Sequence, residues 1–279
     1  MILREPCLPP GWYPRQRDKI EEFLGSYRKA KEALSGAPAA IAPHAGWYYS
    51  GPLAALAASS LGSEAETVAV IGGHLPRSAP VLAAMEDGVK TPLGAMIIDK
   101  ELREAFGKQV STIPDSYQDN TVEVLLPMAH YFFPESKLLW LRFPAELSSF
   151  EAGKILAETA VKLGRRIVVL SSTDLTHYGL NYGFSPRGRG KPALEWVKKS
   201  NDAAFINAVL GGDPSMVLKR AEEDSSACSA GAVLGALGFA VQKGKSARLL
   251  KYSTSADVLE SEGDEIPDSF VGYAAISFG

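Results

Sequence analysis

The fold is decided by the stretch Ile167-Val-Val-Leu-Ser-Ser-Thr-Asp-Leu-Thr-His177, in which a short apolar run ends in a polar turn. Three similar runs precede it along the chain, at Ala39–Ala42, Val68–Ile71 and Leu138–Leu141. Each run has the length of a strand and lacks alternation of apolar and polar residues, which is typical of strands covered on both faces. The runs therefore predict the central strands of a sheet buried between helices.

Helical patterns separate these runs, as in folds where helices connect parallel strands. We predict helices at Arg17–Leu34, Pro52–Leu61, Lys100–Lys108, Thr121–Phe133, Ser149–Leu163, Pro192–Leu210 and Ser229–Val241. Two late strands, Ala247–Ser253 and Phe270–Phe278, complete the pattern. Because no long linker or repeat divides the sequence, residues 1–279 are predicted to form one α/β domain with a central mixed, mainly parallel sheet flanked by helices.

Composition limits the classes of function. With 29 Lys and Arg against 32 Asp and Glu, the chain lacks the basic excess of a nucleic-acid-binding protein. The uncharged stretch Ser225–Gln242 is rich in Ala, Gly and Ser, which favours a buried helix over a membrane span. The two cysteines, Cys7 and Cys228, show no disulfide pattern, and the first residues contain no apolar signal core. We therefore expect a soluble cytoplasmic protein with neither a nucleic-acid nor a membrane partner.

Three of the four histidines follow predicted strands. His44, His74 and His177 come shortly after the first, second and fourth apolar runs, whereas His130 lies in a predicted helix and is assigned to packing or to the surface. Ligands of open α/β sheets bind at the carboxyl ends of the strands, so the first three side chains are expected in one cleft. A lone histidine in a turn is more often structural, but three at equivalent strand ends favour a functional site.

Other side chains could complete such a site. Cys228 precedes the predicted helix Ser229–Val241, whose N-terminus favours a thiolate, and thiolate and neutral imidazole are good ligands for iron, zinc or copper. A buried, inert thiol is an equally good interpretation of Cys228. Asp174 could bind the metal or orient an imidazole, or it could cap a loop or a helix. Glu123 is a further carboxylate candidate.

These residues resemble the motifs of the Memo family, which is related to the LigB-type class III extradiol dioxygenases. The matching stretches, in the family's order, are Arg4-Glu-Pro6, Gly11-Trp-Tyr-Pro14, Ala42-Pro-His-Ala-Gly46, Ile71-Gly-Gly-His74, Thr91-Pro-Leu-Gly94 with Asp99, Val122–Pro127, Ser171–Gly179 and the late Cys228. The resemblance implies a class III extradiol dioxygenase-like α/β fold and a pocket shared with those enzymes.

The resemblance also implies roles for individual residues. By motif, His44 and His74 match the two metal-ligand histidines, and Cys228 matches the cysteine that stands where the dioxygenases have a carboxylate ligand. His177 and Asp174 match the acid/base histidine and the aspartate of an Asp-x-x-His motif, so both are predicted to be catalytic. The expected cofactor is Fe(II), with copper or zinc as alternatives.

Three departures from the family pattern fall near the predicted site. A single histidine, His74, follows the second strand where a pair is common, and Asn120 stands where a histidine is frequent. The basic loop Arg187–Lys191 replaces a more acidic, aromatic stretch. The surroundings of His74 and the mouth of the pocket are therefore expected to differ from the family pattern.

Two functions are consistent with this sequence. The first is a metal-dependent, dioxygenase-like oxidoreductase acting on a small aromatic substrate such as a catechol, with His177 moving a proton. Because Cys228 is oxidisable, it argues against ordinary extradiol cleavage and leaves a thiol-based redox reaction open. The second is a non-catalytic module that binds a peptide or protein in the inherited pocket. For that function the resemblance implies AMMECR-type and radical-SAM proteins as partners.

Aromatic residues beside the first histidine are candidates for substrate contacts. Trp47 and Tyr48 follow His44 closely and could form an aromatic rim for a ring or a peptide, and Glu123 is predicted to share the substrate site. Aromatic residues next to a strand are by default packed in the core, so both interpretations of this run are kept.

Overall fold

A nine-stranded mixed sheet runs through the computed structural model, which describes residues 1–28 and 36–279. A second, three-stranded sheet lies beside it within the same described residues. The strands are β1 (Leu3–Arg4), β2 (Ala39–Ala42), β3 (Thr67–Leu75), β4 (Val81–Ala83), β5 (Gly88–Thr91), β6 (Gly94–Ile97), β7 (Thr112–Pro114), β8 (Lys137–Pro144), β9 (Ile167–Ser172), β10 (His177–Tyr178), β11 (Ala247–Thr254) and β12 (Phe270–Phe278).

The large sheet has the order β10-β12-β2-β9-β3-β8-β4-β7, and β11 pairs with β12. Its four central strands, β2, β9, β3 and β8, are parallel, and the antiparallel strands β12 and β4 flank them. The four central strands are the apolar runs predicted from the sequence; β2 has the predicted bounds, and β3, β8 and β9 are longer than predicted. The predicted α/β fold with a mixed sheet flanked by helices is confirmed.

Helices cover both faces of this sheet. They are α1 (Arg17–Gly25), α2 (Trp47–Ser59), α3 (Lys100–Gly107), α4 (Asn120–Glu123), α5 (Leu126–Phe132), α6 (Ser148–Lys162), α7 (Lys191–Trp196), α8 (Asp202–Gly211), α9 (Pro214–Glu223), α10 (Ala230–Gln242) and α11 (Ser255–Ser261). The predicted helix Arg17–Leu34 begins where expected, but its residues 29–34 lie outside the described residues. No helix of the described residues has both the length and the apolar character needed to cross a bilayer.

Two predicted helices are divided in the structure. The segment Thr121–Phe133 forms α4 and α5 instead of one helix, because Pro127 has no N–H to bond to the preceding turn and is favoured near a helix start. The segment Pro192–Leu210 contains a π-helical turn at Val197–Asn201 between α7 and α8. Such turns interrupt the regular hydrogen-bond ladder and are invisible to a simple helical periodicity.

The register of the central strands decides where their following residues lie. Ile41, Ser171 and Ile71 occupy one row across β2, β9 and β3; β2 and β9 end one residue further on, and the β3 ladder with β9 ends at this row. Residues that follow β2 and β9 and the last residues of β3 therefore meet at one edge of the sheet. This is the edge at which the sequence placed its histidines.

Close packing of α6 against α10 fixes the approach to this edge from one face. A Cβ atom placed on Gly153 of α6 would lie 2.0 Å from the carbonyl oxygen of Gly235 on α10. A Cβ atom on Gly231, in the first turn of α10, would lie 2.1 Å from the carbonyl oxygen of Pro144. The helix α10, which follows Cys228, is thus held against both α6 and the end of β8 at backbone contact.

Replacing Gly153 by alanine should therefore destabilise the fold. The added methyl group must push α6 away from α10, which we expect to cost about 1–3 kcal/mol, measured as the free energy of unfolding in urea. Gly211→Ala is the matched control, because a Cβ atom there meets nothing within 4 Å. That variant should be neutral or slightly stabilising, since alanine favours helix over glycine. Equal stability of the two variants would contradict the close packing.

Candidate metal centre

The first predicted ligand, His44, lies two residues beyond β2 and is buried, with 1% of its surface exposed. Its Nδ1 lies 2.9 Å from the Oγ of Ser172, and that hydroxyl donates its own hydrogen to the carbonyl oxygen of Thr121. Ser172 must then accept the hydrogen of Nδ1, which leaves Nε2 as the ring atom that faces the cluster. Nε2 faces the sulfur of Cys228 at 3.2 Å.

The second predicted ligand, His74, is the residue before the last in β3, where the ladder to β8 is irregular between Gly72 and Leu75. Its backbone has a φ of 56°, in the left-handed region that side chains other than glycine seldom adopt. Nδ1 of His74 lies 3.1 Å from Oδ2 of Asp119, and 32% of the side chain is exposed. Burial opposes the charge on His74, but hydrogen bonds to Asp119 and Cys228 raise the pKa of the imidazole to about 10.

Cys228 reaches the site from the segment that precedes α10. It immediately precedes Ser229, the N-cap residue of α10, and its backbone N–H donates to the carbonyl of Asp174 at 3.2 Å. Burial alone would raise the pKa of this thiol, but the charge and hydrogen bond of His44, with a hydrogen bond from His74, lower the pKa to about 6. A thiolate therefore prevails at neutral pH, as is required of a metal ligand.

Asp174 lies just behind the first histidine. Its Oδ1 accepts the backbone N–H of His44 at 2.7 Å, and its Oδ2 lies 3.9 Å from Nε2 of the same residue. Burial raises the pKa of this carboxyl to about 6, although the charges of His177 and His74 and two backbone N–H groups act in the opposite direction. Asp174 therefore holds the His44 loop through its backbone N–H.

His177 lies on β10, paired with β12, and lines the same cleft as His44, His74 and Asp174. Its Nδ1 donates to the carbonyl oxygen of Leu175 at 3.0 Å, so Nε2 is the ring atom left to exchange a proton. The cleft has a volume of about 470 Å³. Its remaining lining includes aromatic and neutral polar side chains, among them Trp12, Tyr49, Asn120, Asn181, Tyr182 and Tyr273.

The predicted substrate residues lie elsewhere. Trp47 is packed in the core against Phe23, and Tyr48 is 52% exposed and bonds to Glu262, so neither lines the cleft. The nearby aromatic residue that does line the cleft is Tyr49, whose ring contacts Tyr48 edge to face.

Glu123 is also absent from the lining of the cleft. The carboxylate is buried and accepts hydrogen bonds from the backbone N–H groups of Cys7 and Leu8, from the Cys7 thiol and from the Tyr13 hydroxyl. These contacts anchor the amino-terminal segment to α4. The structure thus brings together His44, His74, Cys228, Asp174 and His177, and leaves the other three predicted residues outside.

Sequence reasoning missed the residues that orient the two histidines. Ser172, the last residue of β9, and Asp119 belong to no pattern that predicts contact with a histidine. The one signal for Asp119 is its place before Asn120-Thr121, because an aspartate one residue ahead of a helix is a common cap. Nothing in the pattern showed that this capping carboxylate also reaches His74.

The donor set fits a transition metal. One ligand atom each from His44, His74 and Cys228 lies within 4.8 Å of the other two. Around a tetrahedral ion with ordinary metal–nitrogen and metal–sulfur bonds, such atoms are roughly 3.5 Å apart, close to the 3.2 Å between His44 and Cys228. Both Nδ1 atoms are held by oxygen acceptors, which is the usual arrangement behind metal-bound imidazoles.

Comparison with known proteins places the chain. The profile of a family described as Memo-like protein matches residues 4–277. The chain belongs to the Memo family. A MEMO1 family protein of Methanosarcina mazei is 32% identical over 292 residues, covering 99% of both chains. A MEMO1 family protein of Archaeoglobus fulgidus is 30% identical over 287 residues, again covering 99% of both chains.

A solved structure supports the fold. An uncharacterized protein from Escherichia coli K12 superimposes with a TM-score of 0.52, over 88% of this chain and 100% of that chain. The two sequences are 14% identical, so the likeness concerns the fold alone. The Memo family membership expected from the motifs is confirmed.

The two cysteines should differ sharply in alkylation. In metal-free protein, iodoacetamide should modify Cys228 with a pH midpoint near its pKa of about 6, because the thiolate is the nucleophile. Cys7 should stay unmodified at neutral pH, because burial and Glu123 raise its pKa to about 11. Peptide mass spectrometry separates the two sites. His44→Ala should move the Cys228 midpoint upward, whereas a wild-type midpoint near the ordinary thiol value of about 8.5 would contradict the described contacts.

Proposed function

We propose that this Memo family protein holds one transition-metal ion through His44, His74 and Cys228 and acts as an oxidoreductase on a small aromatic substrate. The observation that carries the proposal is the convergence of the three ligand atoms within 4.8 Å. Fe(II) is the proposed metal, and copper and zinc are alternatives that the same donors suit. When bound, iron or copper supplies Lewis acidity and one-electron chemistry beside the cleft.

The chain itself supplies a proton acceptor. Because Nδ1 of His177 donates to Leu175, its Nε2 is free to take a proton from a substrate hydroxyl in the cleft. The resulting imidazolium is stabilised by the carboxylate of Asp174, whose own pKa responds to the charge of His177. Burial and backbone hydrogen bonds hold Asp174 in place, so the proton would move without rearrangement of the loop.

The cleft supports the choice of substrate class. A volume of about 470 Å³ lies in the range of small-molecule sites. The rings of Tyr49, Tyr182 and Tyr273 offer apolar faces, while Asn120 and Asn181 offer neutral hydrogen-bonding groups. An aromatic ring with adjacent hydroxyls would match both kinds of group.

A peptide or protein ligand is the second candidate function. The observation that favours it is the aromatic wall itself, because Trp12 and the cleft tyrosines could receive an aromatic or aliphatic side chain of a peptide. AMMECR-type and radical-SAM proteins are the proposed partners in this case. A binding module would keep its partner affinity when the metal ligands are removed.

The first test of the proposal is metal content. Protein purified anaerobically without an affinity tag should contain about one equivalent of iron or copper per chain, measured by elemental mass spectrometry. Exchanging both His44 and His74 for alanine should abolish this binding, whereas His130→Ala should retain it, because His130 bonds to Thr91 away from the cluster. If wild-type protein binds none of these metals below micromolar concentration, the oxidoreductase proposal fails.

The second test concerns His177. His177→Gln should retain the metal but lose about 10²–10⁴-fold of any catechol-dependent oxygen uptake, because it removes the proton acceptor and not a ligand. Oxygen uptake should be followed with a panel of substituted catechols. Tyr48→Phe is the control and should leave the rate unchanged, because Tyr48 lies outside the cleft. A His177→Gln rate equal to that of the wild type would remove this residue from the reaction.

A further inference from the structure

Arg142 is a buried arginine on β8, opposite the irregular end of β3. Its backbone pairs with Gly72, and the next paired residues are Leu75 and Pro144, so Gly73 and His74 form a bulge across from a single residue. Bulges of this kind redirect a side chain and increase the local twist. Only 3% of the surface of Arg142 is exposed.

The guanidinium of Arg142 contacts both the backbone and the side-chain partner of the bulge. Nε donates to the carbonyl oxygen of Gly73 at 3.0 Å, one bond before the left-handed His74. Nη2 lies 3.1 Å from Oδ2 of Asp119, the same oxygen that faces Nδ1 of His74 at 3.1 Å. Nη1 lies 3.4 Å from Oδ1 of the buried Asp115, so all three nitrogens of the guanidinium have an oxygen partner.

We propose that Arg142 is a positioning residue for His74, fixing its backbone through Gly73 and its ring through Asp119. It contacts no ligand atom of the cluster and acts only through these two neighbours. As far as the metal is concerned, this inference rests on the proposed function. The orientation of the imidazole can be measured without metal, so the two can be judged separately.

The geometry requires a guanidinium in particular. A left-handed backbone at His74 is strained and persists only where neighbours over-determine it. Close approach of other residues contributes, since a Cβ atom on Gly73 would lie 2.4 Å from that of Ser229. Arginine presents a planar fork of donors in fixed directions, whereas a lysine offers one ammonium and cannot bond to the Gly73 carbonyl and two carboxylates in these directions at once.

The test compares Arg142→Lys with Arg165→Lys. Both changes keep the positive charge, so neither leaves a buried aspartate without a cation. Arg165 pairs with buried Asp99 at 3.3 Å, and Asp99 accepts from Thr67 at the amino end of β3, the opposite end from His74. Each variant is examined in the full chain by urea unfolding and by two readouts of the site.

The first readout is the nuclear Overhauser effect between the imidazole protons of His44 and His74 in metal-free protein, whose rings meet edge to face at 4.8 Å. The second is the dissociation constant of Co(II), measured by chelator competition. In Arg142→Lys we expect the Overhauser effect to disappear and Co(II) binding to weaken about 10–100-fold. In Arg165→Lys both readouts should remain as in the wild type.

Each outcome decides one of the two claims. A persisting Overhauser effect in Arg142→Lys overturns the positioning role, even if the variant is less stable, because a purely structural role predicts that result. If the wild type binds Co(II), an unchanged Co(II) affinity in Arg142→Lys overturns the positioning role as well. If the wild type binds no Co(II) but the Overhauser effect is lost in Arg142→Lys, the positioning role stands and the proposed metal function fails.

Discussion

The parallel register of β2, β9 and β3 is the constraint on which the site depends. Because Ile41, Ser171 and Ile71 lie in one row, β2 and β9 end just beyond the point where β3 stops pairing with β9. The sheet holds the side chains that follow these strands close together. No further ordering of the strand backbone is therefore needed when the site forms. Only Cys228 comes from outside this set, and its position depends on α10 packing at backbone contact against β8.

In the cluster, burial and neighbouring charges shift the pKa of the Cys228 thiol in opposite directions, and the charges prevail. Removing a thiol from water favours its neutral form, yet the imidazoles of His44 and His74 reverse that preference for Cys228. Asp174 acts in the opposite direction on Cys228 and is itself raised in pKa by burial. A cation bound among these groups would balance the charges of the sulfur and the carboxylate together, which supports the proposed metal site.

Much of this arrangement was predictable because local sequence carries it. The four apolar runs became the central strands, and strand ends placed His44, His74 and His177 at one edge. Sequence left Trp47 open between the cleft and the core, because adjacency in sequence does not decide which side of a helix faces a cleft. Residues such as Asp119, Ser172 and Arg142 could not be found, since their roles arise from contacts between segments more than 40 residues apart.

The turn Asp119–Glu123 serves two parts of the molecule at once. Asp119 holds the ring of His74. The carbonyl of Thr121 accepts the Ser172 hydroxyl, which in turn accepts Nδ1–H of His44 and leaves Nε2 facing the cluster. Two residues later, Glu123 binds the segment Cys7–Tyr13. The amino-terminal segment Cys7–Tyr13 and the ligand cluster are thus both held by the same five residues, Asp119–Glu123. A substitution in this segment would therefore disturb the docking of the amino-terminal residues and the geometry of the ligand cluster together.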